Sequence, residues 1–181
     1  AGKLLPNLPP VKVIFDAWDN FLRFPRNAAI AGRLRESYAI CAARADRWTT
    51  NSETNRDYWA RSLSIGPCDL IRNGVDTDHF RRQRPCPSDL RDIPRPIVGI
   101  GAKITHLVDT DLLNTVVRDN PDLSFALVGQ VLDRDVMSRI EKRPNFHYLG
   151  DKHYEDYPAY VQAFDVAMIP YVVGERLHIG G

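Results

Sequence analysis

Cysteine is scarce: Cys41, Cys68 and Cys86 are the only three in 181 residues. The number is odd and no C-x-x-C pair occurs, which argues against a disulfide framework or a zinc site and fits a reducing compartment. Long apolar runs are missing too. No stretch reaches the roughly 18 apolar residues that a transmembrane helix needs. The opening AGKLLPNLPP does not set out the charged, apolar and cleavage regions of a secretory signal in order. Charge of one sign is also lacking. Lys and Arg number 24 against 23 Asp and Glu, leaving a net +1, so nothing pulls the chain as a whole toward nucleic acid. His79, His106, His147, His153 and His178 show no metal-ligand spacing. No G-x-S-x-G elbow or Cys-His pairing marks a hydrolase.

What remains is an ordinary globular composition, 44% hydrophobic, in a chain long enough for one domain or two small ones. Short β-branched runs alternate with helix-forming segments. VKVIF (11–15), RWTTNS (47–52) and CDLIRN (68–73) read as strands. Helices are expected over 28–45, where Ile30, Leu34, Tyr38, Cys41 and Ala45 keep helical spacing, and over 53–63, with Ser52 as N-cap. The rhythm then repeats. IVGIGA (97–102), SFALVG (124–129), FHYLG (146–150) and DVAMIPY (165–171) read as strands. Between them, helices are expected over 110–118 behind the Asp109 cap, over 133–142, and from Pro158 to about Ala163. Strands that alternate with helices and are apolar on both faces imply an α/β protein with parallel sheets covered on both sides.

Between the two halves lies IRNGVDTDHF (71–80), followed by RRQRPCPSDLRDIPRP. Asn73-Gly74 favours a tight turn with positive φ. Pro85, Pro87, Pro94 and Pro96 remove backbone donors and disfavour helix before them. The expected organisation is therefore a first domain over 1–75, a linker over 76–95, and a second domain over 96–181.

Several motifs bear on chemistry. Gly99-Ile-Gly101-Ala-Lys103 ends the first strand of the second half, where small residues let backbone N–H groups approach a diphosphate; a plain tight turn is the competing reading. Ile104 stands where G-x-G-x-x-G needs its third glycine, which disfavours an NAD site. Gly129 and Gly150-Asp151 end two further strands, and Pro170 a third, at the edge where open α/β sheets bind ligands; ordinary turns compete there. Asp76-Thr-Asp78 and Asp109-Thr-Asp111 have the oxygen ligands that suit Mg²⁺ or Mn²⁺. The first lies in the crossing segment, and the second sits at a helix start, where Asp is favoured for capping and dipole reasons, so no bound metal is expected.

Six of these stretches occur in an order and spacing that resembles the family 4 glycosyltransferases of the GT-B fold. They are DRWTTNS, IRNGVDTDHF, PRPIVGIGAKI, FALVG, NFHYLG and AFDVAMIPY. The wording of FDAWDNF and of YEDYPAY is similar to bacterial transferases of surface-polysaccharide and teichuronic type. The resemblance spans roughly 10–172 and implies two Rossmann-like domains, both incomplete here. It makes the chain part of an enzyme that moves a sugar, with retention, from a UDP- or GDP-sugar to a glycan or lipid-linked acceptor, without a bound cofactor. It implies a donor site at Gly99, Gly101, Lys103, His106, Gly129, Gly150, Asp151 and Pro170. The hinge would be Asn73, Gly74 and Asp76, and the catalytic, acceptor-facing side Asp16 and Asp19. For the last pair a turn capped by its own Asp side chains is the competing reading. It also implies a cytoplasmic enzyme of polysaccharide or glycoconjugate biosynthesis at the inner face of the membrane, where Arg81, Arg82 and Arg84 would meet anionic lipid or simply be solvated.

This sequence departs from that family in two ways. Ala102 stands where many relatives carry Arg, leaving Lys103 and His106 as candidate cations. The carboxylate-bearing loop that retaining members carry later is not found before Gly181, and HIGG reads as the run-up to it. On this reading the chain alone is a weak or inactive catalyst. Two alternatives stay open: a GT-B sugar-nucleotide epimerase, and a non-catalytic binding scaffold with the same fold.

Overall fold

A computed structural model describes residues 11–173; the opening decapeptide and the HIGG run lie outside them. The described chain forms two compact units, 11–75 and Asp76–Val173.

The first unit runs β1 (Ile14–Asp16), α1 (Ala31–Arg44), β2 (Arg47–Thr50), α2 (Glu53–Leu63) and β3 (Cys68–Leu70). The strands make a parallel sheet in the order β1-β2-β3, with Ile14 opposite Arg47 and Trp48 opposite Cys68. Its core is aromatic. Tyr38 from α1 lies 4.4 Å, centroid to centroid, from the fully buried Trp59 of α2, and Phe15 of β1 lies 4.7 Å from Trp48 of β2. Rings of this size bury much area per side chain, which lets three short strands hold two helices. Ser52 caps α2 by accepting from the Asn55 N–H at 3.3 Å, as its position before the helix predicts.

The second unit contains α3 (Thr77–Arg81), α4 (Ser88–Arg91), β4 (Ile97–Gly101), α5 (Thr110–Asp119), β5 (Ser124–Val128), α6 (Arg134–Arg139), β6 (Phe146–Tyr148), α7 (Tyr157–Ala163) and β7 (Val166–Ala167). Its sheet is parallel, in the order β6-β5-β4-β7. β5 is buried along its whole length and serves both faces. Phe125 and Leu127 pack with Leu113, Val117 and Val136 on one side; Ala126 and Val128 pack with Leu90 and Tyr160 on the other. This period-two division is why the run carries no polar residue after Ser124. Asp165 fastens β7 to β4: its carboxylate accepts from the Ile97 N–H at 2.7 Å and from Arg95 at 2.6 Å. The backbone N–H and the guanidinium hold that carboxyl below its ordinary range.

The structure departs from the sequence expectations at several points. Residues 76–95, read as a linker, carry α3 and α4 and pack on the second unit. Leu90 is 2% exposed in its core. Gln162 of α7 donates to the Phe80 and Arg82 carbonyls at 2.8 Å each and accepts from the Arg84 N–H at 3.1 Å. The His79 ring stacks on Tyr154 at 4.7 Å. Asp89 accepts from Lys152 at 2.7 Å and from Tyr160 at 2.9 Å. The prolines break this segment into two short helices but do not free it, because isolated apolar and polar anchors tie it down. The expected turn at Asn73-Gly74 is absent: Gly74 has no positive φ and is exposed, and no turn forms there. Asn73 instead accepts from the Asn51 side chain at 3.4 Å. The 28–45 helix is α-helical only from Ala31, after a 3-10 segment over Pro25–Ile30. The helix expected over 133–142 stops at Arg139. The run read as a strand over 165–171 pairs with β4 only at Val166 and Ala167; Pro170 brings no N–H to a ladder, and Tyr171 bridges Val108 instead.

Candidate functional site

In the second unit the strand order places a topological switch point at β4. From β4 the chain winds outward through β5 to β6, then returns through α7 to set β7 on the other side of β4. In open α/β sheets ligands bind outside the carboxyl ends of the strands at such a point.

That rim is built largely of backbone. The Ala102 N–H donates to Val128 O at 3.1 Å, and the Ile104 N–H to Gln130 O at 2.9 Å. The Gly129 N–H donates to Gly150 O at 2.9 Å, and the Tyr148 hydroxyl to Gly129 O at 2.9 Å. Gly101, Gly129 and Gly150 are thereby laid side by side across three strand ends. Gly129 has φ +153°, and a Cβ there would stand 1.8 Å from Ala102 O, so only glycine allows the close approach. Gly150 has φ +79° with open space around it, a turn requirement. On the far side of the switch point the Asp109 N–H donates to Pro170 O at 2.8 Å, and Val108 bridges Tyr171. Pro170 thus anchors the loop that leads into α5, whose first turn Asp109 caps by accepting from the Leu112 N–H at 2.9 Å.

The glycines of the first motif have a different explanation from the one their spacing suggests. A Cβ on Gly99 would fall 1.9 Å from the Phe164 ring, and one on Gly101 would fall 1.6 Å from the Tyr157 hydroxyl. Gly99 is buried inside β4 and faces packing rather than solvent; Gly101 is at the exposed end. Lys103 and His106 are exposed beyond it and make no ion pair among the described residues. Asp151 is exposed, and its carboxylate accepts from the Lys152 N–H at 3.0 Å.

Tyr157 was not singled out by sequence. Tyr157 starts α7, and its hydroxyl lies against Gly101 with no hydrogen bond among the described residues. Burial first, and neighbouring Tyr171 second, raise its phenol above the ordinary value. The sequence clue available was the pairing of a glycine at a strand end with an aromatic residue at the head of the returning helix.

In the first unit, Asp16 ends β1 and Asp19 stands on the loop after it. Asp16 accepts from the Thr49 hydroxyl at 2.6 Å, and the Ala17 N–H donates to Thr49 O at 2.8 Å. Thr50 donates to Ala17 O at 2.9 Å. The loop is therefore fixed by β2. Its Asn20 is fully buried and accepts from the Leu22 N–H at 3.1 Å. Asp16 and Asp19 both line a pocket of about 320 Å³ with Phe15, Ala17, Trp18, Phe21 and, from one face of α1, Leu34, Ser37, Tyr38 and Cys41. Burial raises the Asp19 carboxyl above its ordinary value. Asp76 accepts from the His79 N–H at 2.9 Å and caps α3, an N-cap role. No group of three or more His, Cys, Asp or Glu that could hold a metal ion occurs among the described residues. No helix there is long and apolar enough to cross a membrane.

No family model and no curated protein matches the sequence. Among solved structures, the crystal structure of Anabaena Alr3699/HepE in complex with UDP and glucose superimposes with a TM-score of 0.63 at 16% identity, over 86% of this chain and 45% of that one. The crystal structure of TarM superimposes with a TM-score of 0.54 at 15% identity, over 75% of this chain and 27% of that one. The chain thus spans less than half the length of either structure. The likeness is one of fold: mixed α/β with parallel sheets, matching GT-B glycosyltransferases.

Proposed function

We propose that this chain is part of a nucleotide-sugar-dependent glycosyltransferase, one that moves a sugar with retention to a glycan or lipid-linked acceptor in polysaccharide or glycoconjugate biosynthesis. The observation that carries the reading is the rim of the second sheet, where Gly101, Gly129 and Gly150 meet at the β4 switch point. Lys103 is exposed at that rim and makes no ion pair among the described residues, and a diphosphate asks for a cation with little side-chain bulk around it; the Ala102, Ile104 and Gly129 N–H groups are already engaged within the sheet. The HepE structure, with UDP and glucose bound to a similar fold, supports the choice of a UDP-sugar first and a GDP-sugar second.

The donor site would comprise Gly101, Lys103, His106, Gly129, Gly150, Asp151 and Pro170, with Tyr157 added from the structure and Gly99 serving packing. Lys103 would offset charge on the leaving nucleoside diphosphate, an electrostatic contribution that grows as the bond breaks. The acceptor would approach the loop of Asp16 and Asp19, where a carboxylate can orient a hydroxyl. Asn73, Gly74 and Asp76 would serve the hinge, and the enzyme would work in the cytoplasm at the inner face of the membrane. Calorimetric titration of the chain with UDP and GDP tests this. Saturable binding of one of them, weakened about tenfold or more by Lys103→Ala, is expected, given that a charge-assisted hydrogen bond contributes about 1.5–3 kcal/mol. Binding of neither nucleotide overturns the donor site.

A further inference from the structure

We propose that the pocket beside β1 in the first unit binds an uncharged glycoside that presents an apolar face or chain, and that it rejects anions. Three observations lead there. At about 320 Å³ the pocket is of small-molecule size. Its floor is apolar and closed, with Ala17, Tyr38 and Cys41 at 5% exposure or less, while two aromatic residues stand open at its margin, Trp18 at 55% and Phe21 at 39%. Among the described residues its charged lining is acidic: Asp16 and Asp19 contribute, and no described Lys or Arg does.

These features select a ligand chemistry. The exposed ring of Trp18 offers a flat apolar surface to the C–H face of a pyranose or to an alkyl chain. Asp16 is already engaged by the Thr49 hydroxyl, but the Asp19 carboxylate accepts no side-chain hydrogen bond and joins no ion pair among the described residues. A partly buried carboxylate without donors is under-solvated, as its raised proton affinity also indicates. It gains most from a donated ligand O–H. The Tyr38 hydroxyl is already used: it accepts from the Phe21 N–H at 3.3 Å and donates to Asp19 O at 3.5 Å. An anion would meet two carboxylates, one exposed and one partly buried, with no Lys or Arg among the described residues lining the same space, and like charges there repel it. A phosphate-headed ligand is therefore excluded and a sugar hydroxyl admitted. Naming this ligand the acceptor rests on the transferase reading; its binding does not.

Trp18 supplies the readout, since Trp48 and Trp59 are buried. The chain is titrated at pH 7 with octyl β-glucoside below its micelle concentration, with octyl phosphate, and separately with UDP. The glucoside is expected to change Trp18 emission saturably, and the phosphate to bind at least tenfold more weakly. Trp18→Phe should remove the optical signal but leave a heat of binding. Asp19→Asn should weaken the glucoside about tenfold and strengthen the phosphate, narrowing the ratio between them. Asp16→Asn gives a second test of that narrowing if the first variant does not fold. Equal or tighter binding of the phosphate overturns the proposal. So does the absence of saturable glucoside binding, or a ratio unmoved by loss of either carboxylate. UDP binding without glucoside binding removes this pocket and leaves the transferase reading; the converse leaves a glycoside site without a donor site.

Discussion

Replacing Gly99 by Ala separates two explanations of the same motif. If Gly99 serves a bound diphosphate, the variant should fold as well as the parent and lose nucleotide affinity. The structure gives the other answer. The new Cβ would sit 1.9, 2.0 and 2.3 Å from three atoms of the Phe164 ring, so the ring must leave or β4 must shift. Overpacking of this kind costs about 1–3 kcal/mol, equivalent to a fall of roughly 4–8 °C in midpoint per kcal/mol for a unit of this size. Phe164→Ala makes room at a cost of its own, about 2–4 kcal/mol for a partly buried aromatic. Adding Gly99→Ala to it should then cost almost nothing, giving a coupling energy of about 1–3 kcal/mol in the double-mutant cycle. All three tryptophans, Trp18, Trp48 and Trp59, lie in the first unit. Far-UV circular dichroism should record an earlier transition of the second unit while the tryptophan transition stays in place. Strict additivity of the two substitutions would refute the packing argument, as would an unchanged midpoint accompanied by lost nucleotide binding.

Three further outcomes are expected. Gly129→Ala, which combines a φ of +153° with a contact at 1.8 Å on Ala102 O, should destabilise the second unit by about 2 kcal/mol or more and weaken nucleotide binding together with it, read by denaturation and calorimetry. Asp89→Asn should cost the second unit about 1–2 kcal/mol at pH 7, because Lys152 and Tyr160 lose a charged acceptor. Burial pushes the Asp89 carboxyl up, but hydrogen bonds from Lys152 and Tyr160 outweigh it and leave it below the ordinary value. Its contribution is therefore present above about pH 4, the unfolded value, and should fade as acid titrates the folded group below it. Asp19→Asn should act with the opposite sign. Burial raises that carboxyl in the folded state, so the variant should stabilise the first unit at neutral pH, with the gain vanishing as pH falls to where the parent is protonated too. Tryptophan-monitored melts across pH 3–8 check this one.

The layered pattern was legible where side chains state their own environment. SFALV announces a strand buried on both faces because every residue after Ser124 is apolar. Ser52 and Asp109 announce helix starts because a cap needs only a nearby backbone N–H. The crossing segment was not legible. Its polar anchors, Asp89 on Lys152 and Tyr160 and Gln162 on two carbonyls, join residues 63 to 82 positions apart, and Leu90 enters a core shared with Ala126 and Tyr160, while its prolines speak only for local backbone. The site divided in the same way. Gly129 and Gly150 were found through strand ends, whereas the packing role of Gly99 depends on Phe164, far along the chain. Tyr157 escaped notice because its contact with Gly101 exists only once α7 has returned across the sheet.

The attachment of residues 76–91 to the second unit fixes where this protein can be recombined. A chimera that exchanged its second half at residue 95, where composition changes, would strand Leu90 without its core and the Phe80 and Arg82 carbonyls without Gln162. Joining at Gly74-Val75 severs none of these contacts, because both residues are exposed and a side chain at 74 meets nothing within 4 Å. The natural unit of exchange is thus the sheet together with the strap of two helices that precedes it. A second unit borrowed from another protein of this fold would have to bring its own strap along.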